Sequence, residues 1–131
     1  MPAFEPSSVT VRPPAARTPR PTWTVTRDVL AGTTSATIET RVAFRAVDGT
    51  DIEREFGVVC EVHPADPAHA VGRGRHRCRS TRDGSWAESR ADVVIASDEA
   101  EFHVTIELEV TIDGTVAATR SWDERIPRVL L

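Results

Sequence analysis

The residues best suited to hold a metal are Cys60, His63, His76 and Cys78. Thiolate and imidazole are zinc ligands, yet here they run C-x2-H and then H-x-C, an order that common zinc modules do not use. On an extended strand Cys60 and His63 point to opposite faces, so one ion does not reach both without a bend. No metal site is assigned. The two cysteines are either cross-strand neighbours that bridge when oxidised or two small buried hydrophobes. Arg73, Arg75, Arg77 and Arg79 line one face of an extended segment, a row that suits phosphates. No aromatic residue is interleaved with them, however, and the chain carries a net charge of −4. Glu88, Asp92, Glu107 and Glu109 are available as partners, so a cross-strand ion-pair face is expected rather than a nucleic-acid interface. The four His are scattered singly, and the chain contains no G-x-S-x-G nucleophile elbow. No catalytic residue and no cofactor are assigned.

Arg54 and Arg120 are the sharper pair, because the alternation described below puts both on an apolar face. A buried guanidinium needs an acid, a ligand or an exit to solvent. The plain expectation is snorkelling at the rim of a sheet. The alternative is a barrel interior in which Arg54 and Arg120 hold an anionic ligand between walls made by Trp23, Trp86 and Trp122.

The elements that position these side chains are strands. From Trp23 onward the hydrophobic period is two: Ile38, Val42 and Phe44 alternate with Glu39, Arg41 and Arg45, and Phe102 through Ile112 alternate with His103 through Thr111. Asp-Gly pairs at Asp48-Gly49, Asp83-Gly84 and Asp113-Gly114 mark hairpins. The spacing predicts strands over 22–30, 35–47, 51–63, 72–82, 85–96, 101–112 and 115–123. Keeping apolar residues on one face requires three-residue loops, Asp48-Gly49-Thr50 and Asp113-Gly114-Thr115. That register pairs Val42 with Phe56, Arg45 with Glu53, Ile112 with Val116 and Ile106 with Trp122. The expected fold is all-β: an antiparallel seven-stranded meander closing as a sandwich or a barrel. Residues 1–21 hold six of the nine prolines and read as a disordered Pro/Arg-rich tail ahead of a β domain over 22–131.

The closing stretch "RSWDERIPRVLL", Arg120 to Leu131, reads as a last strand and a tail folded back over a sheet edge or barrel end. Together with the preceding "SDEAEFHVTIELEVTIDGTVAAT" it resembles the C-terminal β-region of CocE/NonD family hydrolases, relatives of X-prolyl dipeptidyl peptidases. "HPADPAHA" looks like a linker of that family, and "RDGSW" like one of its turns. The resemblance covers roughly Trp23 to Leu131. It implies a non-catalytic region beside an α/β-hydrolase domain that carries a Ser-His-Asp triad; none of the matching positions is catalytic.

The expected function is thus an accessory or binding β-domain that caps a separately encoded hydrolase or associates with itself. The alternatives are a small barrel that binds an apolar or anionic small molecule, as a carrier or cyclase, and a fragment of a hydrolase encoded elsewhere. The acidic balance and the absence of an apolar run of the roughly 18–20 residues that span a bilayer argue against nucleic-acid and membrane partners. The N-terminus lacks an apolar signal core, so a cytoplasmic location with reduced cysteines is expected.

Overall fold

The computed structural model describes residues 20–129. The expected tail over 1–21 lies outside them except for Arg20 and Pro21, which belong to no strand, and so do Leu130 and Leu131. Seven strands follow in order: β1 (Thr22–Asp28), β2 (Thr33–Arg45), β3 (Asp51–His63), β4 (Asp66–Arg82), β5 (Ser85–Ser97), β6 (Glu101–Ile112) and β7 (Thr115–Pro127). They form one antiparallel sheet in sequence order, β1 to β7. The seven-stranded meander is as expected. Closure is not: among the described residues only sequence-neighbour strands are in contact, β1 and β7 are unpaired edges, and no second layer packs on the sheet. A meander closes only when its first strand pairs with its last, and β1 and β7 do not pair.

The turns fix the register. At Gly49, φ is +85°, and Gly49 N donates to Ala46 O at 3.0 Å while Ala46 N donates to Thr50 O at 2.8 Å. The loop is three residues long, but it is Val47-Asp48-Gly49, one residue earlier than expected. A type I turn closed by a left-handed residue needs the glycine third. The β2–β3 register therefore slides by two, pairing Thr40 with Phe56, Val42 with Arg54 and Arg45 with Asp51. A slide of two leaves the faces unchanged, because side chains alternate with period two.

The other two Asp-Gly turns are two-residue loops with both residues left-handed: Asp83 φ 50°, Gly84 φ 82°, Asp113 φ 47° and Gly114 φ 84°. In the last hairpin Ile112 faces Thr115 rather than Val116. A bulge between Val110 and Thr111, which leaves Ala117 unmatched, restores the expected pairing of Ile106 with Trp122. The stretch read as a linker, "HPADPAHA", is instead a hairpin whose β4 side bulges: Val62 pairs with Ala70 but His63 with Asp66. Pro67 falls in that irregularity, where no ladder donor is required.

The alternation of β7 does not stop at Asp123; pairing continues to Pro127 opposite Glu101. Arg128 extends this pairing by one more bond instead of folding back, and the rest of the expected Val-Leu-Leu fold-back lies largely outside the described residues. Its N donates to Ala100 O at 2.8 Å, its guanidinium donates to Asp98 O at 3.0 Å, and the same group lies 5.6 Å from the Phe102 ring centre. Arg128 thus pins the β5–β6 turn, while Val129 is 77% exposed.

Asp113 joins two hairpins. Its carboxylate accepts from Ser85 Oγ at 2.6 Å and from Trp86 N at 2.7 Å, and these bonds hold its pKa below the ordinary range. Asp83 has nearly the same backbone conformation, but its carboxylate meets only exposed Arg82. Asp113→Ala is expected to lower stability more than Asp83→Ala, since only the former loses cross-turn hydrogen bonds. Urea unfolding of the two variants measures the difference.

Candidate functional site

The sheet sorts its side chains by face. On one side stand Val25, Ile38, Phe44, Ile52, Phe56, Val58, Val93, Ile95, the even residues from Phe102 to Ile112, Trp122 and Ile126, as strand alternation and the ladders require. Among the described residues no hydrophobic side chain is buried. Phe56, Ile95, Ile112 and Ile126 are all exposed, although each sits inside a ladder. One row crosses the whole sheet: Trp23, Ile38, Val58, Gly74, Val93, Ile106 and Trp122 are successive partners from β1 to β7. Beside its centre lie Gly72, Ala70, Ala87 and Ala91, so the face is low along β4 and β5 and high along β3 and β6.

The opposite face is a lattice of ion pairs. Arg41 meets Glu55 at 3.1 Å, Glu55 meets Arg77 at 3.6 Å, Arg77 meets Glu88 at 2.8 Å and Glu88 meets Arg90 at 2.6 Å. Arg77 and Arg90 are direct cross-strand partners, a like-charge opposition that is unfavourable alone. Glu88 accepts from both, which explains why it is the most buried side chain described, at 6% exposure. The hydrogen bond from Arg77, then that from Arg90, holds its pKa below the usual carboxylate range against the opposing effect of desolvation. Arg45 grips Asp51 through two bonds of 2.7 and 2.8 Å, Arg75 meets Asp92 at 3.2 Å, and Arg125 pairs with Glu101. The expected ion-pair face is present in part: Arg75 and Arg77 find Asp92 and Glu88, whereas Arg79 stacks on Trp86, and among the described residues no ion pair joins Arg73, Glu107 or Glu109. Arg45 sits on Asp51 rather than opposite Glu53.

The residues singled out from the sequence do not converge. Arg54 is exposed on the apolar face with its guanidinium 5.9 Å from the Phe44 ring centre. Arg120 is exposed on β7, four strands away, or roughly 19 Å at normal strand spacing. It helps line an open hollow of about 410 Å³ formed chiefly by Arg90, Asp92, Glu107, Glu109, Thr119 and Ser121. Trp23 is 72% exposed on one edge strand, and Trp122 is 38% exposed on the other. Trp86 stands on the polar face under the Arg79 guanidinium, 4.2 Å from its ring centre. No walled interior joins these five side chains, because the sheet does not close.

Cys60 pairs with Gly72 and Cys78 with Arg54. Six residues of strand separate the two positions, roughly 20 Å, whereas a disulfide needs Cα atoms within about 7 Å. They are not cross-strand neighbours, and neither is buried: Cys60 is exposed and Cys78 half-buried. His76 faces Phe56, while His63 turns to the β1–β2 loop, where its ring stands against Gly32. Gly32 has φ +68°, and a Cβ there would lie 2.8 Å from the His63 ring nitrogen. Glu88 is among the acids expected to neutralise the arginine row, but its place between Arg77 and Arg90 needed the odd-to-even register of the two-residue Asp83-Gly84 turn. Arg128 escaped sequence reading, because it needed the path of β7 past Asp123.

Comparison of the chain with family models, with curated proteins and with solved structures finds no match.

Glu88→Gln is expected to cost about 1–3 kcal/mol, because two guanidinium groups lose a charged acceptor. The Glu88 pKa is depressed in the folded state, so its contribution is present above the ordinary value of 4.5 and lost as pH falls through the lower folded value. The gap in urea midpoint between wild type and Glu88→Gln should therefore close in strong acid. His69 behaves oppositely: its hydrogen bond with Asp66 raises its pKa above 6.5. That contribution is present below 6.5 and fades as pH rises through the raised value. NMR titration of Asp66→Asn should return the His69 midpoint to the ordinary range.

Proposed function

We propose that this chain is a non-catalytic association module that works by laying the apolar face of its sheet on another protein surface. One observation carries the proposal: a continuous apolar face crosses seven strands, and among the described residues nothing in the chain buries it. Exposed apolar area of this extent belongs to interaction sites. The second layer of the expected sandwich is then supplied by the partner. The ionisable groups agree with a structural role. Asp48, Asp51, Asp66, Glu88, Asp98 and Asp113 are all shifted downward by hydrogen bonds, the opposite of a carboxyl group poised to donate a proton.

The resemblance of "RSWDERIPR" and the strand before it to the end of CocE/NonD hydrolases supports an accessory role of the kind those β-regions play. A cytoplasmic setting suits a chain whose two cysteines stand too far apart to bridge each other.

Two substitutions test the proposal. Ile106→Lys, at the middle of the apolar row, should change the hydrodynamic size of the protein, its binding of a hydrophobic fluorophore, or both. Arg73→Glu, on the opposite face, should change neither. Identical behaviour of Ile106→Lys and wild type, or turnover of esters or aminoacyl amides that a single side-chain substitution abolishes, contradicts it.

A further inference from the structure

We infer that the surface covering the apolar face is a second copy of this chain, stacked face to face about a two-fold axis parallel to β4. This rests on the association reading above and names its partner. The row that crosses the sheet reads Trp-Ile-Val-Gly-Val-Ile-Trp, from Trp23 through Gly74 to Trp122. It is its own reverse. A two-fold along β4 lays β1 over β7 of the second copy, β2 over β6 and β3 over β5, so each residue of the row meets its own type: Trp23 over Trp122, Ile38 over Ile106, Val58 over Val93, Gly74 over Gly74. An isologous interface requires such self-complementarity, since contact of one residue with another must be repeated in reverse. A heterologous partner places no such demand on the row.

Relief and size agree. Twisted sheets approach most closely at the centre and splay toward the corners. Glycine at the centre and tryptophan at both edges match that separation. Six strand spacings of about 4.8 Å and strands of about 12 residues at 3.3 Å give a face of roughly 29 by 40 Å. Its footprint, about 1,100 Å², exceeds the roughly 800 Å² per partner of a standard specific interface. Charge fits at one corner of the face, while Arg54 on β3 keeps its guanidinium beside the Phe44 ring. Glu124 stands on this face at the row of Val25, and Arg27 stands one row further along β1. The same two-fold brings Arg27 over β7 of the second copy beside its Glu124, and the pair is repeated by symmetry.

The cysteines report the arrangement without any substitution. Cys60 is exposed on the apolar face of the single chain, and stacking covers it. Sedimentation of the wild-type protein should give a species of twice 14.3 kDa, and a charged maleimide should label Cys60 roughly tenfold or more slowly in that species than in urea-unfolded chain. Ile106→Lys should restore fast labelling and yield monomer. A dimer whose Cys60 labels as fast as in the unfolded chain overturns face-to-face stacking in favour of pairing through β1 or β7. A monomer that loses hydrophobic-fluorophore binding on Ile106→Lys overturns the self-pairing and leaves the association module standing with another partner. A monomer in which that substitution alters neither size nor fluorophore binding overturns both.

Discussion

One apolar face on a single layer is the constraint from which the rest of the structure follows. Backbone ladders satisfy the amides of seven strands, but they do not remove apolar side chains from water. In a sandwich or a barrel a second layer does so, and here the described residues provide none. The hydrophobic contribution that normally dominates folding is left incomplete by the chain alone. The opposite face cannot make up the difference. Its ion pairs are solvent-facing apart from the Arg77–Glu88–Arg90 cluster, and exposed pairs contribute little each. What that lattice supplies is support for the register the turns set: charges alternate in sign from Arg41 through Glu55, Arg77 and Glu88 to Arg90.

The turns decide which side chains share the apolar face. Each Asp-Gly turn places glycine in the left-handed region, and the number of residues between the ladders sets which positions oppose one another. Two-residue turns at Asp83-Gly84 and Asp113-Gly114 pair even with odd positions, while the three-residue turn at Val47-Asp48-Gly49 pairs even with even. The bulge at Ala117 corrects the parity of the last hairpin, so that Ala118, Arg120 and Trp122 return to the side of Val110, Leu108 and Ile106. Without that bulge Trp122 would lie on the polar face and the cross-sheet row would end at Ile106.

Much of the architecture was legible because period-two patterning and Asp-Gly pairs are local signals. They sufficed for seven strands, for the meander, and for the placement of Arg54, Arg120 and Trp122 on one face. Register was less legible. The β2–β3 loop was misplaced by one residue because its length, without the position of its left-handed glycine, leaves the start undetermined. The start of β4 was lost because Pro64 and Pro67 mimic a linker, whereas a bulge accommodates the second of them. Closure was expected because isolated sheets must hide a face, yet a sequence does not say whether the cover lies in the same chain. The self-reversing row was invisible for a related reason: it takes one residue from each strand and exists only once six registers are known.

Dependence of folding on a cover is measured most directly by the concentration dependence of the wild-type unfolding midpoint. If the sheet needs a second copy on its apolar face, folding and association are coupled, and the urea midpoint must rise steadily with protein concentration. A midpoint that stays constant across a wide concentration range, with a monomeric native state throughout, would contradict the account.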